Sequence, residues 1–253
     1  MRRIRVTIAY DGTAYHGWQT QDGCVTIQQT IEDALAIVEG KPVPLTASGR
    51  TDAGVHAHAQ VGAFDLENRI PCYNLRKALN RLLPRDIRIV DCTVAATESF
   101  HPRYDATAKN YEYRMHCGEV CPPMVQRYAY HHPFPLDLEK MNAAAPLLEG
   151  THDFRSFAAK NPHAGENKVR TIFSSRGEWR RDEQQWIYRV RGSGFLKYMV
   201  RNIVGVLLQV GVGNVSHEGI RARLRAGSGI PAGPTAPANG LCLVSVEYPE
   251  ALE

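Results

Sequence analysis

Apolar and polar positions alternate at the start of the chain. Ile4, Val6, Ile8 and Tyr10 stand against Arg3, Arg5 and Thr7, which predicts a half-buried strand with a basic outer face. Asp11-Gly12 ends it. Thr13 to Gln19 reads as a loop with exposed aromatic and hydrogen-bonding side chains. Thr26 then caps a helix with Ile27, Ile31, Leu35 and Val38 on one face, and Gly40 stops it. Ala57 to Leu66 predicts a second strand. Leu75, Leu79, Leu82 and Leu83 space a second helix, Pro84 ends it, and a strand follows through Ile87, Ile89 and Val90. The first half is therefore β, α, β, α, β.

The second half repeats this order loosely. Tyr111, Tyr113 and Met115 alternate in a strand starting at Lys109, and Leu138, Met141, Ala145 and Leu148 space a helix that ends at Gly150. Strands follow through Val169–Trp179 and Trp186–Arg191. A long amphipathic helix is expected from Phe195 to Val210, then a short basic helix from Ser216 to Ala226, a Gly/Pro/Ala-rich loop from Gly227 to Gly240, and a closing strand from Leu241 to Tyr248. The echo in element order suggests a weak internal duplication with a boundary near Phe100–Ala108, dividing the chain into halves 1–104 and 105–253. Within that boundary His101-Pro102-Arg103-Tyr104 resembles a linker. Two antiparallel α+β halves, sharing a sheet or abutting, are the simplest architecture.

Composition narrows this picture without changing it. With 253 residues, 43% hydrophobic and 22% charged, the chain can bury a substantial core. No apolar run reaches the roughly 18 residues needed to span a bilayer, and Met1 to Val6 leads directly into a strand pattern rather than a signal peptide, so a cytoplasmic location is expected. The six cysteines are scattered, and the only close pair, Cys117 and Cys121, lacks a second pair to complete a zinc site. They are expected to be reduced thiols, mostly in strands or the core. A net charge of +4 permits a nucleic-acid partner without requiring one.

Ser48-Gly49-Arg50-Thr51-Asp52-Ala53-Gly54-Val55-His56 fits neither a helix nor a regular strand. Its glycines allow unusual backbone angles or the close approach of a ligand, and a cation and a carboxylate sit two residues apart between them. A guanidinium beside Asp52 favours its ionised form, which suits a nucleophile, a general base or a ligand anchor rather than a proton donor. The same pattern also describes a hairpin with a surface ion pair.

Other stretches carry candidate chemistry of their own. On the Phe195 helix, Leu196, Met199, Val200, Ile203 and Leu207 form one face, while Lys197, Tyr198, Arg201, Asn202 and Gly205 take the other. Arg201 there is either an ordinary exposed cation or a buried partner for Asp52. Tyr111 and Tyr113 point the same way, as core residues or as rings meeting a nucleobase. Asp52, His56 and His58 are conceivable metal ligands, but no further ligand falls at a suitable spacing. His131-His132, between proline-bearing segments, reads as structural or surface. Arginines interleave with aromatics from Arg176 to Arg191 and recur at Arg221, Arg223 and Arg225, a composition suited to a phosphate-binding surface or to a plain solvated face. Arg191 to Tyr198 approaches an RNA-recognition signature but has Ser193 where an aromatic should stack.

Several blocks together resemble the TruA family of tRNA pseudouridine synthases: Tyr10-Asp11-Gly12-Thr13 with Gly17-Trp18-Gln19, Gly49 through His56, Phe195 through Gly205, and Gly240-Leu241-Cys242-Leu243. They occur in matching order across nearly the whole chain. The resemblance implies an α+β pseudouridine synthase fold, two ferredoxin-like halves with a central antiparallel sheet, whose C-terminal half completes the active-site cleft. It implies isomerisation of uridine in the anticodon stem-loop of tRNA, at positions 38, 39 and 40, with Asp52 catalytic and Arg201 keeping it ionised and aligned. Tyr111 would contact the base, Arg50 would help hold it extruded, and Leu243 would wall the pocket. No cofactor or metal is implied. The partners implied are tRNA and a second copy of the chain, the homodimer's joint basic cleft taking one tRNA. The Gly/Pro/Ala-rich tail from Ser228 to Asn239 departs from the resemblance and leaves its own role open.

Overall fold

The alternation at the N-terminus produces the strand it predicts, β1 at Arg2–Tyr10, with Ile4, Val6 and Ile8 wholly buried. In chain order there follow α1 (Ile27–Glu39), β2 (Thr46–Ala47), β3 (His56–Leu66), α2 (Cys72–Leu82), β4 (Ile87–Val94) and β5 (Ala108–His116). Next come α3 (Pro123–Gln126), β6 (Tyr130–His131), α4 (Leu138–Ala144), β7 (Gly150–Asp153), β8 (Val169–Arg180), β9 (Gln185–Gly192), α5 (Met199–Val212), α6 (His217–Leu224) and β10 (Leu241–Glu247). The computed structural model describes residues 1–159 and 167–252. The chain divides into two units, Met1–Ala108 with Cys242–Glu253, and Lys109–Leu241. Most strand pairs are antiparallel, in keeping with the α+β class expected.

In the first unit the strands run in the order β4-β1-β3-β10. β10 joins β3 in parallel, pairing Cys242 with His56 and Leu243 with Ala57. Helix α1 begins and ends as its sequence dictates. The Thr26 hydroxyl accepts from the Gln29 N–H, and Gly40 closes the helix at φ +79°, where a side chain would be strained. On one face of the sheet the register sets Ile4 beside Phe64 and Val6 beside Gly62. The opposite face of β1 is not the open basic surface its sequence suggests. Phe100 and Tyr248 pack over it with Val61 and Ala63, and the Arg5 guanidinium lies 5.6 Å and 4.8 Å from their ring centroids. The His101–Tyr104 stretch is not a loose linker either. The Tyr248 hydroxyl donates to the Pro102 carbonyl at 2.6 Å, and the Asp105 carboxylate accepts from the His101 N–H.

In the second unit β5, β9, β8 and β7 form an antiparallel series, and β6 adds in parallel to β5. Trp186 and Tyr188 stack in its core, and the Trp186 indole donates to Asn142 on α4. Helix α5 starts at Met199, four residues later than its periodicity suggests, because Tyr198 takes a left-handed conformation at φ +65°. It is also less amphipathic than expected. All of its residues except Arg201, Gln209 and Val212 are buried, Asn202 and Gly205 included. The reason is the Gly/Pro/Ala-rich segment, which lies along the helix: a Cβ on Gly205 would stand 1.9 Å from the Pro234 carbonyl oxygen.

All six cysteines are free thiols, but only Cys92 and Cys242 lie in strands and only Cys92 is buried, so the expectation that most occupy strands or core does not hold. Among the described residues no helix is long and apolar enough to cross a membrane.

Glu112 on β5 bonds Arg114 and Arg189, each at 2.8 Å. Burial works to raise its pKa, but the two guanidinium groups outweigh it and hold the carboxyl below its ordinary value. A depressed carboxylate pKa contributes stability that is present above the unfolded value, about 4.3, and is lost as pH falls through the folded one. Glu112→Gln is expected to lower unfolding free energy at pH 7 by about 1 kcal/mol and to flatten its fall below about pH 4. Urea titrations at pH 7 and pH 3 check this.

Candidate active-site loops

The loop after β2 is built on a second loop that follows β1. The strands bring the two together, since β1 pairs with β3 along its length. Gly12 then lies so close to the Asp52 loop that an added Cβ would be 2.0 Å from the Val55 carbonyl oxygen, and at Gly17, φ +91°, one would be 2.7 Å from that of Thr51. Only glycine allows this backbone-on-backbone contact. Hydrogen bonds complete it: the Trp18 N–H donates to the Thr51 carbonyl at 3.0 Å, and the Gly54 N–H to that of Tyr15 at 3.3 Å.

Asp52 is the first residue of a tight turn, closed by the Val55 N–H donating to its carbonyl at 3.1 Å. Gly54 has φ +78° at the third position, as a type II turn requires. Thr51 is buried and its hydroxyl lies 2.8 Å from the Tyr10 phenol. At the loop's start, the buried Ser48 hydroxyl donates to the Gln60 amide oxygen, and the Gln60 amide donates to the Gly49 carbonyl at 2.8 Å. The carboxylate-bearing residue thus sits on a backbone fixed at both ends while its own side chain is only half-buried. The backbone contacts place its Cα and Cβ before any ligand is present.

Of the sequence-predicted residues, Asp52, Arg50 and Leu243 belong to the first unit, and Tyr111 and Arg201 to the second. Arg50 is exposed and makes no ion pair among the described residues, so the surface pair with Asp52 that its spacing suggested is not formed. Leu243 is buried at 1% exposure, on β10 beside Ala57 of β3. His56 is buried, with its Nδ1 accepting from the Gly12 N–H at 3.1 Å, while His58 is exposed. Among the described residues no three histidine, cysteine or acidic side chains form a group able to hold a metal.

In the second unit Tyr111 and Tyr113 do share a face. Tyr111 meets Phe195 edge-on at 5.2 Å, and Tyr113 donates to the Pro237 carbonyl at 2.9 Å. Arg201 is half-buried, its Nε donates to the Ala236 carbonyl at 2.8 Å, and its guanidinium lies 5.2 Å from the Tyr198 ring. The basic runs are largely engaged within the fold. Arg189 pairs with Glu112 and Glu178, Arg225 with Glu218, and Arg223 donates to the Gly219 and Pro231 carbonyls.

Sequence reasoning missed three features. Tyr15 and Trp18, read as exposed, are 7% and 2% accessible. Trp18 packs 6.0 Å from the Tyr10 ring, and the Tyr15 phenol donates to Asp86 at 2.7 Å, with burial and that contact raising its pKa far above the ordinary value. The Tyr10–Thr51 bond left no sequence signal. The strap over α5 left one, since a glycine inside a helical pattern often marks close approach.

The model of the family described as tRNA pseudouridine synthase matches residues 6–105 and 144–249. The chain is 55% identical over 251 residues to the tRNA pseudouridine synthase A of Solibacter usitatus, covering 98% of this chain and 100% of that one. It is 43% identical over 253 residues to the tRNA pseudouridine synthase A 1 of Desulfotalea psychrophila, with the same coverage. A solved archaeal box H/ACA sRNP Nop10–Cbf5 complex aligns with 81% of this chain and 43% of its own at 11% identity and a TM-score of 0.37, a likeness too slight to carry an argument.

If the two loops are fixed by backbone contact, a single methyl group at the contact should disturb them. Gly17→Ala is expected to destabilise the protein by about 1–3 kcal/mol and to raise amide hydrogen exchange at Trp18 and Gly54. Denaturant titration and exchange measured on the folded protein check this.

Proposed function

The chain belongs to the tRNA pseudouridine synthase family, an isomerase family, and on that premise we propose that it isomerises uridines at positions 38, 39 and 40 of the tRNA anticodon stem-loop with Asp52 as nucleophile. The observation that carries this reading is the Asp52 turn, a half-buried carboxylate on a backbone that the Gly12 and Gly17 contacts hold in place.

The reaction breaks the bond between N1 of uracil and C1′ of ribose, and the freed base turns and bonds to C1′ through C5. The C5 proton leaves and N1 takes one up, so the step balances without oxidant, reductant or water. Asp52 attacks either the anomeric carbon or the base, or assists a glycal route. Each role requires its ionised form. Arg201 is the cation proposed to keep it ionised and aligned. Tyr111 contacts the target base, Leu243 walls the pocket, and the exposed Arg50 helps hold the extruded nucleotide, a step costing a few kcal/mol of unstacking.

The tRNA is bound through its phosphates by a homodimer in the cytoplasm. Basic surface supports the phosphate contact. A depression of about 700 Å³ on α2 and β4 is lined by Arg76, Lys77, Asn80 and Arg81 with Ile89 and Val90, and the exposed Tyr73 ring stands 4.3 Å from the Lys77 ammonium. It shares no residue with the Asp52 loop, so it suits backbone contact rather than chemistry.

Release of tritium from tRNA labelled at C5 of uridine reports the reaction. Asp52→Asn is expected to lower it by on the order of 10⁴-fold while tRNA binding, and its decline with salt, stay as in the unsubstituted protein. Wild-type release by this variant would remove Asp52 from its role, and unchanged pseudouridine at positions 38 to 40 in cells lacking the protein would overturn the site assignment.

A further inference from the structure

The strap from Pro234 to Pro237 rests on α5 at Pro234, is bonded to that helix at Thr235 and Ala236, and is held by β5 at Pro237. Gly205 leaves room for the Pro234 carbonyl. The buried Asn202 amide donates to the Phe157 carbonyl at 2.7 Å, and its oxygen accepts from the Thr235 hydroxyl at 2.6 Å. Ala236 exchanges two bonds with Arg201, its N–H donating to the Arg201 carbonyl at 3.2 Å and its own carbonyl accepting from Nε at 2.8 Å. The Pro237 carbonyl accepts from Tyr113.

A guanidinium is a rigid planar fork, so anchoring its Nε fixes the plane and direction of the remaining N–H donors. The Ala236 carbonyl meets Nε only while the strap keeps its position along the helix, and the Asn202–Thr235 bond is the side-chain latch that keys that position, one residue from the Arg201–Ala236 pair. We propose that Thr235 and Asn202 are positioning residues for Arg201, holding its guanidinium in the orientation that the charge partnership with Asp52 uses. This rests on the reading of Arg201 given above. Neither residue touches substrate. They act through the strap, and their effect falls on the rate of the chemical step rather than on tRNA affinity.

Thr235→Val keeps the shape of the side chain and removes the hydroxyl at an otherwise exposed position. It is expected to lower kcat for tritium release by about 10-fold to 100-fold, with KM for tRNA little changed and the thermal midpoint lowered by a few degrees, because the buried Asn202 oxygen loses its donor. Thr235→Ser restores the hydroxyl and should restore kcat. In an Arg201→Gln background, Thr235→Val should add no further loss, because both substitutions remove one coupled unit. Wild-type kcat in Thr235→Val, equal loss in the Ser and Val variants, or full additivity with Arg201→Gln overturns the proposal. If Arg201→Gln alone keeps wild-type kcat, the underlying reading fails with it. If Arg201→Gln is impaired while Thr235→Val is not, only the positioning role falls.

Discussion

Gly12 and Gly17 let the backbone of one loop rest directly on that of another, and the placement of Asp52 follows from that contact. Both loops leave the ends of paired strands, so the β1–β3 register brings Gly12 beside Val55 and Gly17 beside Thr51. No side chain lies between them to change rotamer. What remains adjustable is small, because the Trp18 and Gly54 amides already donate across the gap and Tyr10 meets Thr51 from beneath. The backbone that carries the carboxylate is thereby held as firmly as in a helix or a strand.

The second unit uses the same device for a cation. There Gly205 allows a strap to lie against α5, and the strap's Ala236 carbonyl takes the Arg201 Nε. Both arrangements bury backbone polar groups, and both satisfy them within the contact. An unpaired buried carbonyl or amide would cost roughly 1–3 kcal/mol. The absence of a Cβ is therefore necessary and not sufficient. The hydrogen bonds formed across each contact hold the chains at that distance.

Much of the architecture was legible in the residues because it is local. Thr26, Gly40 and Pro84 punctuate helices through their own capping and backbone chemistry, and the alternation of Ile4, Val6 and Ile8 reports burial on one face. Asp52 stood out for a similar reason, since a glycine at the third position of a turn is a local demand. Contacts between distant segments left weaker traces. The arginines of β1 looked like an outer face because nothing nearby shows that Phe100 and Tyr248 will cover them. The polar side of α5 could be read as solvated or as buried, because the strap that buries Asn202 arrives some thirty residues later. Tyr15 and Trp18 misled by their polar company, since a ring needs only one hydrogen-bond partner, or none, to be buried.

The parallel pairing of β10 with β3 makes the first unit discontinuous: Cys242 and Leu243 close beside His56 and Ala57, at the foot of the Asp52 turn. During synthesis that neighbour is made only after the whole second unit. β2 already pairs with β3 at Gly62 and Ala63, but a ribosome adding about 5–20 residues per second leaves His56 and Ala57 of the nascent first unit without their β10 partners for on the order of ten seconds. Through that interval the start of the strand leading out of the turn lacks its neighbour, and β10 is what completes it.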